Sequence, residues 1–194
     1  KMFRSNEIGV QNSIDPSLLQ YEGRNYLVWG SFRGIYVIEL TADGLSIMSG
    51  AKKKRIAGTA FEAVYIHKHG DYYYMFASIG SCCQGVKSTY KVVVGRSKKV
   101  WGPYKDKTGK PMLKNGYSLV IGANDHFVGN GHGSQIIQDD AGQDWLLYHG
   151  FSRSTPENGR ILLLDQIKWD QEGWPYVEGG SPSYETQKAP VFNN

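Results

Sequence analysis

Val64-Tyr65-Ile66-His67-Lys68-His69-Gly70-Asp71-Tyr72-Tyr73-Tyr74-Met75-Phe76-Ala77-Ser78 reads as two strands joined by a Gly-Asp turn. Both runs are rich in the β-branched and aromatic residues that suit a pleated surface, and a two-residue Gly/Asp connection marks a tight hairpin. The pattern recurs as Leu18-Leu19-Gln20-Tyr21-Glu22-Gly23-Arg24-Asn25-Tyr26-Leu27-Val28-Trp29-Gly30-Ser31. A third copy is Gln135-Ile136-Ile137-Gln138-Asp139-Asp140-Ala141-Gly142-Gln143-Asp144-Trp145-Leu146-Leu147-Tyr148-His149-Gly150. A further strand follows each hairpin, over residues 35–40, 90–96 and 161–169. Small antiparallel meanders repeated along one chain predict an all-β fold of β-propeller type, because a sandwich has no need to repeat one hairpin signature. No segment reads as an amphipathic helix.

The repeats place blades around 12–56, 60–115 and 130–178, within one partial domain spanning 1–194. A propeller usually closes with about four to eight blades, and an open ring exposes sheet edges. Either further strands lie in 105–115 and 173–194, or the chain is part of a longer one. The second expectation is preferred.

At 194 residues with 40% apolar content, the chain can bury a substantial core. Its 13 tyrosines and five tryptophans can pack sheets together and can also stack on sugar rings. The net charge of +4 is scattered except at Lys52-Lys53-Lys54-Arg55, which reads as a solvated loop between strands. No aromatic–basic platform accompanies it, so no nucleic-acid partner is expected. No apolar run approaches the length of a membrane span. Cys82 and Cys83 are the only cysteines. Neighbouring Cα atoms sit closer than the roughly 4.4–6.8 Å usual for a disulfide, so two packed thiols are expected and the redox compartment stays open.

In a propeller the first strand of each blade lines the central channel. Asp15, Glu62 and His132 are each read at the start of such a strand, so they are expected to converge around one axis. Taken singly, each acid could simply cap a turn. Two carboxyl groups facing one pocket are the minimum apparatus for glycoside hydrolysis, in which one must stay protonated. Glu62, bracketed by Phe61, Ala63 and Val64, is the better acid, with Asp15 as its charged neighbour. His132 has no second His or Cys at ligand spacing, which argues against zinc. No Gly-x-Ser-x-Gly elbow and no phosphate or dinucleotide fingerprint is present.

Several segments carry a more specific signal. These are Ser81-Cys82-Cys83-Gln84-Gly85-Val86-Lys87-Ser88-Thr89-Tyr90 running into Val94-Gly95-Arg96-Ser97, Asn12-Ser13-Ile14-Asp15-Pro16, Gly30-Ser31-Phe32, Phe61-Glu62-Ala63, and Gly131-His132-Gly133-Ser134. Together they resemble the endo-arabinanases of glycoside hydrolase family 43, over roughly residues 12–177. The resemblance implies a five-bladed β-propeller, with about three blades present here. It implies inverting hydrolysis of α-L-arabinose or β-xylose linkages, with arabinan or arabino-oligosaccharide as substrate. It also implies an extracellular or periplasmic setting. By the same resemblance Glu62 is the general acid and Asp15 its pKa modulator. Asn12, Ser31, Phe32 and Tyr90 lie at the substrate, and His132 reaches a calcium or other ion in the channel through water.

Three departures qualify the resemblance. Val64 stands where a proline commonly follows, and Gly133 where an asparagine often does. The stretch that carries the family's base aspartate has no counterpart upstream of Asp15, and Asp15-Pro16 is the only Asp-Pro. The resemblance therefore implies a glycoside hydrolase chain, a partial catalytic domain over 1–194 that supplies acid and modulator but no base and is inactive by itself, with the missing N-terminal blades supplied by the same protein or by a second chain. Alternatives are an exo-acting α-L-arabinofuranosidase or β-xylosidase, a non-catalytic carbohydrate-binding propeller, or a structural interaction propeller. A carboxyl in an apolar setting serves no purpose in the last two.

Overall fold

Thirteen strands and one short α-helix carry the fold among residues 2–193, which the computed structural model describes. The helix is α1 (Ser5–Ile8). The strands are β1 (Ser17–Tyr21), β2 (Arg24–Trp29), β3 (Ile35–Glu39), β4 (Lys54–Ala57), β5 (Glu62–His69), β6 (Tyr72–Ile79), β7 (Lys91–Ser97), β8 (Ser118–Ile121), β9 (Phe127–Gly131), β10 (Ile137–Gln138), β11 (Asp144–Ser152), β12 (Arg160–Trp169) and β13 (Pro175–Tyr176). The result is an all-β fold of several antiparallel sheets. No helix of the described residues is long and apolar enough to cross a membrane. The chain separates into two compact units, residues 1–77 with 95–117, and residues 78–94 with 118–194. A further sheet has the order β5-β6-β7-β8.

The first unit also holds the sheet β1-β2-β3-β4. Glu22 and Gly23 join β1 to β2 with φ of +49° and +72°, the doubly positive pattern of a type I′ hairpin turn. Alternation then sorts the side chains of β2 and β3 between two faces. On one face Trp29 and Ile38 pack with Val10 and draw in Phe3, Ile8 and Leu27. On the other, Val28 pairs with Val37 and Tyr26 with Glu39. β5 lies beside β1 and β2, tied by the Ser17 hydroxyl donating to the Val64 carbonyl at 2.8 Å.

In the second unit β9, β11, β12 and β13 pair antiparallel, and β10 adds two residues to β11. Tyr148 donates its hydroxyl to the Asp165 carboxylate between β11 and β12, with both groups buried. Burial and the adjacent carboxylate hold the Tyr148 phenol well above its usual pKa.

The three hairpins read from the sequence are present, as are the strands that follow them. The less favoured alternative, further strands in 105–115 and 173–194, finds only isolated bridges and a 3-10 turn at Met112–Lys114 in the first stretch and β13 within 173–193 of the second. Three details differ. Lys54 and Arg55 belong to β4, because an exposed edge strand needs no apolar alternation; only Lys52 and Lys53 lie outside it. His132 follows the end of β9 and does not open a strand. Cys82 and Cys83 are joined by a disulfide (S–S 2.04 Å) with Cα atoms 3.8 Å apart. Their loop is closed by Ser81 and Thr89, with the Ser81 N–H donating to Thr89 Oγ1 at 3.0 Å.

Candidate active site

The two acids singled out in the sequence meet in the first unit because three backbone turns aim them there. Gly30 ends β2 with φ +125°, and a Cβ at this position would sit 2.2 Å from the Gly34 carbonyl oxygen. Only glycine fits. The chain then turns through Ser31 and Phe32 (φ +50°), and the Phe32 N–H donates to the Phe61 carbonyl at 2.9 Å. That bond places Ser31 against the first residue of β5, Glu62.

Ser31 is buried, and its hydroxyl donates to Glu62 Oε2 at 2.7 Å. Its own carbonyl accepts from the Asn12 side-chain amide at 3.0 Å. Asn12 and Asp15 both take left-handed backbone (φ +53° and +54°), which Asn and Asp tolerate better than other side chains. Ala63 also sits at φ +50°, a conformation that costs a non-glycine roughly 1–2 kcal/mol. In return its N–H points at Asp15 Oδ2, 3.1 Å away. Glu62 is only 8% exposed, whereas Asp15 is half-buried. A carboxylate oxygen of Asp15 and one of Glu62 lie within 4.8 Å of each other, close enough to share a cation.

The Glu62 carboxyl is largely shielded from bulk water and accepts a hydrogen bond from the Ser31 hydroxyl. A carboxyl so held can carry a proton for transfer to a bound group.

His132 lies in the second unit. It is exposed, with φ +53°, and its N–H donates to the Ser78 hydroxyl at 2.8 Å. Its ring stacks on His149 (centroids 6.2 Å, 23° between planes), and His149 stacks on Tyr90 (5.8 Å, 23°). Tyr90 is buried beneath Gly131, where a Cβ would come within 2.3 Å of its ring. Three rings thus run from the interior to the surface at His132.

Of the residues expected at the site, Asn12, Asp15, Ser31, Phe32 and Glu62 are linked within the first unit, while Tyr90 and His132 share the ring stack of the second. Sequence reasoning missed His149 and Ser78. Their signal was positional: Ser78 ends its hairpin where Ser31 ends the first copy, and His149 stands one residue before that position, matching Gly30.

The chain matches the model of "Glycosyl hydrolases family 43" over residues 1–175. It is 40% identical over 183 residues to the extracellular exo-α-(1→5)-L-arabinofuranosidase ArbA of Cellvibrio japonicus, covering 86% of this chain and 52% of that protein. It is 35% identical over 181 residues to the extracellular endo-α-(1→5)-L-arabinanase 1 of Bacillus subtilis, covering 90% and 53%. Among solved structures, an α-L-arabinanase of Cellvibrio cellulosa complexed with arabinohexaose superposes with a TM-score of 0.80 at 36% identity, over 86% of this chain and 57% of that one. The chain therefore spans about half the length of the curated relatives it matches. A family match through residue 175 and relatives that share a third or more of its residues make this chain a member of glycosyl hydrolase family 43.

Proposed function

We infer that the protein hydrolyses α-1,5-L-arabinofuranosidic linkages in arabinan with inversion, and that this chain supplies the general acid and its modulator. The observation that carries this reading is the Asp15–Glu62 pair, with carboxylate oxygens within 4.8 Å and Ser31 bonded to Glu62 at 2.7 Å. Acid and base of an inverting glycosidase stand about 6.5–9.5 Å apart to admit a water, so this closer pair suits an acid and its charged neighbour.

In this mechanism protonated Glu62 gives its proton to the glycosidic oxygen as the bond from that oxygen to the anomeric carbon breaks. Asp15 is the proposed modulator of that acid. Water adds to the opposite face of the sugar and passes a proton to a base. That base is proposed to lie in the part of the relatives that this chain does not span, so the chain alone is expected to be inactive. Asn12 and Phe32 border the acid and are the proposed substrate contacts. Ser31 acts through Glu62, and Tyr90 through the His149 ring on which it stacks.

The proposed architecture is a five-bladed propeller with blades around 12–56, 60–115 and 130–178 in this chain. The proposed ion is calcium or a similar cation, which prefers oxygen ligands. An exposed imidazole such as His132 suits it best through an intervening water. The extracellular relatives support a secreted location. Both endo- and exo-acting relatives lie at comparable identity; we favour endo action, with exo release of arabinose as the second reading.

The test is digestion of linear arabinan by the complete protein, its intact mass confirmed, with products followed by chromatography and anomeric NMR. Arabino-oligosaccharides of inverted configuration, abolished by Glu62→Gln, are expected. Undiminished hydrolysis by Glu62→Gln would overturn the assignment of the acid. Release of arabinose alone would select the exo reading.

A further inference from the structure

A second pocket in the first unit lies apart from the acids. On the face of β2 and β3 that carries Tyr26 and Glu39, Trp101 rests against Tyr26 with ring centroids 4.5 Å apart. Tyr21 meets Trp101 edge-on at 5.9 Å and fixes its orientation. A cavity of about 190 Å³ opens beside these rings, with Val37 and Ala51 among its apolar lining and Lys52 and Lys54 at its edge. That is below the roughly 300–1,000 Å³ of drug-sized sites, which leaves room for one ring and not for a bent oligomer.

Its chemistry is selective. Trp101 and Tyr26, both half-buried, offer aromatic surface of the kind that stacks on the C–H face of a sugar. Lys52, Lys53 and Lys54 are exposed, and the Lys54 ammonium donates to the Trp101 carbonyl at 3.3 Å, which places it over the aromatic rim. The one carboxylate lining the pocket, Glu39, is paired with Arg24 at 3.3 Å. The local field at the rim is therefore positive.

We propose that this pocket is an accessory site for an acidic sugar, a uronate unit of an anionic polysaccharide. The ring lies against Trp101, and the carboxylate faces Lys52 and Lys54. Such a site holds the protein on an acidic matrix while another surface acts on a neutral chain. Binding here does not need Glu62 and stands whether or not the catalytic reading does.

The test is affinity electrophoresis of the complete protein through gels containing polygalacturonate, linear arabinan or dextran sulfate. Polygalacturonate is expected to retard the protein more than dextran sulfate does, and the paired change Lys52→Glu with Lys54→Glu to weaken that retardation by about tenfold. Those side chains are exposed, so the variant keeps its Tm and its hydrolysis of arabinan. Trp101→Ala is expected to abolish polygalacturonate retardation even in low salt, where charge alone is strongest. Equal retardation by dextran sulfate would reveal simple ion exchange, and no retardation, or none lost in the lysine variant, would refute the site outright.

Discussion

The Ser31 hydroxyl donates to Glu62 Oε2 across 2.7 Å, a bond between residues 31 apart in sequence and buried at both ends. It joins the end of one hairpin to the start of the next. Removing the hydroxyl leaves Glu62 without its inward donor in a poorly hydrated place. Ser31→Ala is expected to cost about 0.5–1.5 kcal/mol in urea unfolding, the net contribution of a typical hydrogen bond. Ser31→Thr, which keeps a hydroxyl, should recover part of the loss.

Glu62→Gln keeps the shape of the side chain and can still accept from Ser31. It is expected to lower kcat by about 10²–10⁴-fold, the usual contribution of a positioned acid. Calorimetric binding of arabino-oligosaccharide should persist. Loss of binding and turnover together would place Glu62 in substrate recognition and not in proton transfer.

Gly131 has ordinary backbone, so its importance is one of space. A methyl group there would come within 2.3 Å of the Tyr90 ring. Gly131→Ala is expected to lose about 1–3 kcal/mol, the cost of overpacking. Adding Tyr90→Leu to the same chain should return part of the stability, as thermal melts of the single and double variants can measure.

Asp139 turns the loop between β10 and β11. Its Oδ1 accepts from the backbone N–H groups of Ala141 (3.0 Å) and Gln143 (2.8 Å), and its Oδ2 from Trp145 Nε1 (3.0 Å) and the Val191 N–H (3.1 Å). Burial opposes ionisation, but these bonds outweigh it and hold the pKa below its ordinary 3.8. The unfolded chain therefore takes up the proton first as pH falls. The stabilisation is complete above the ordinary value and is lost as pH drops through the lowered one. Melting temperatures of the protein and of Asp139→Asn should differ at neutral pH and converge as pH falls below 4.

Much of this architecture was legible because short turns announce themselves. Glu22-Gly23 and Gly70-Asp71 lie between runs of strand formers, and the structure puts hairpins there. β4 was not legible, since Lys54 and Arg55 at an exposed edge look like a loop. β10 shrinks to two residues because Asp139 captures the following backbone for its own turn. Asp15 and Glu62 could be singled out as acids near strand starts, but the Ser31 bond between hairpins could not. It depends on Gly30 and Phe32 turning the chain through backbone angles that no periodicity encodes. The ring stack of Tyr90, His149 and His132 was equally hidden, because stacking leaves no spacing rule in a sequence.

β4 is the outermost strand of its sheet, and its first two residues are Lys54 and Arg55. An open edge with unpaired backbone groups invites a strand from another molecule, and charge at that edge repels it. The basic run thus also keeps copies of the protein from adding to one another. Replacing Lys54 and Arg55 by alanine would remove that guard and invite aggregation, whereas reversing Lys52 and Lys54 to glutamate keeps the edge charged. Reversal is therefore the cleaner way to probe the neighbouring pocket.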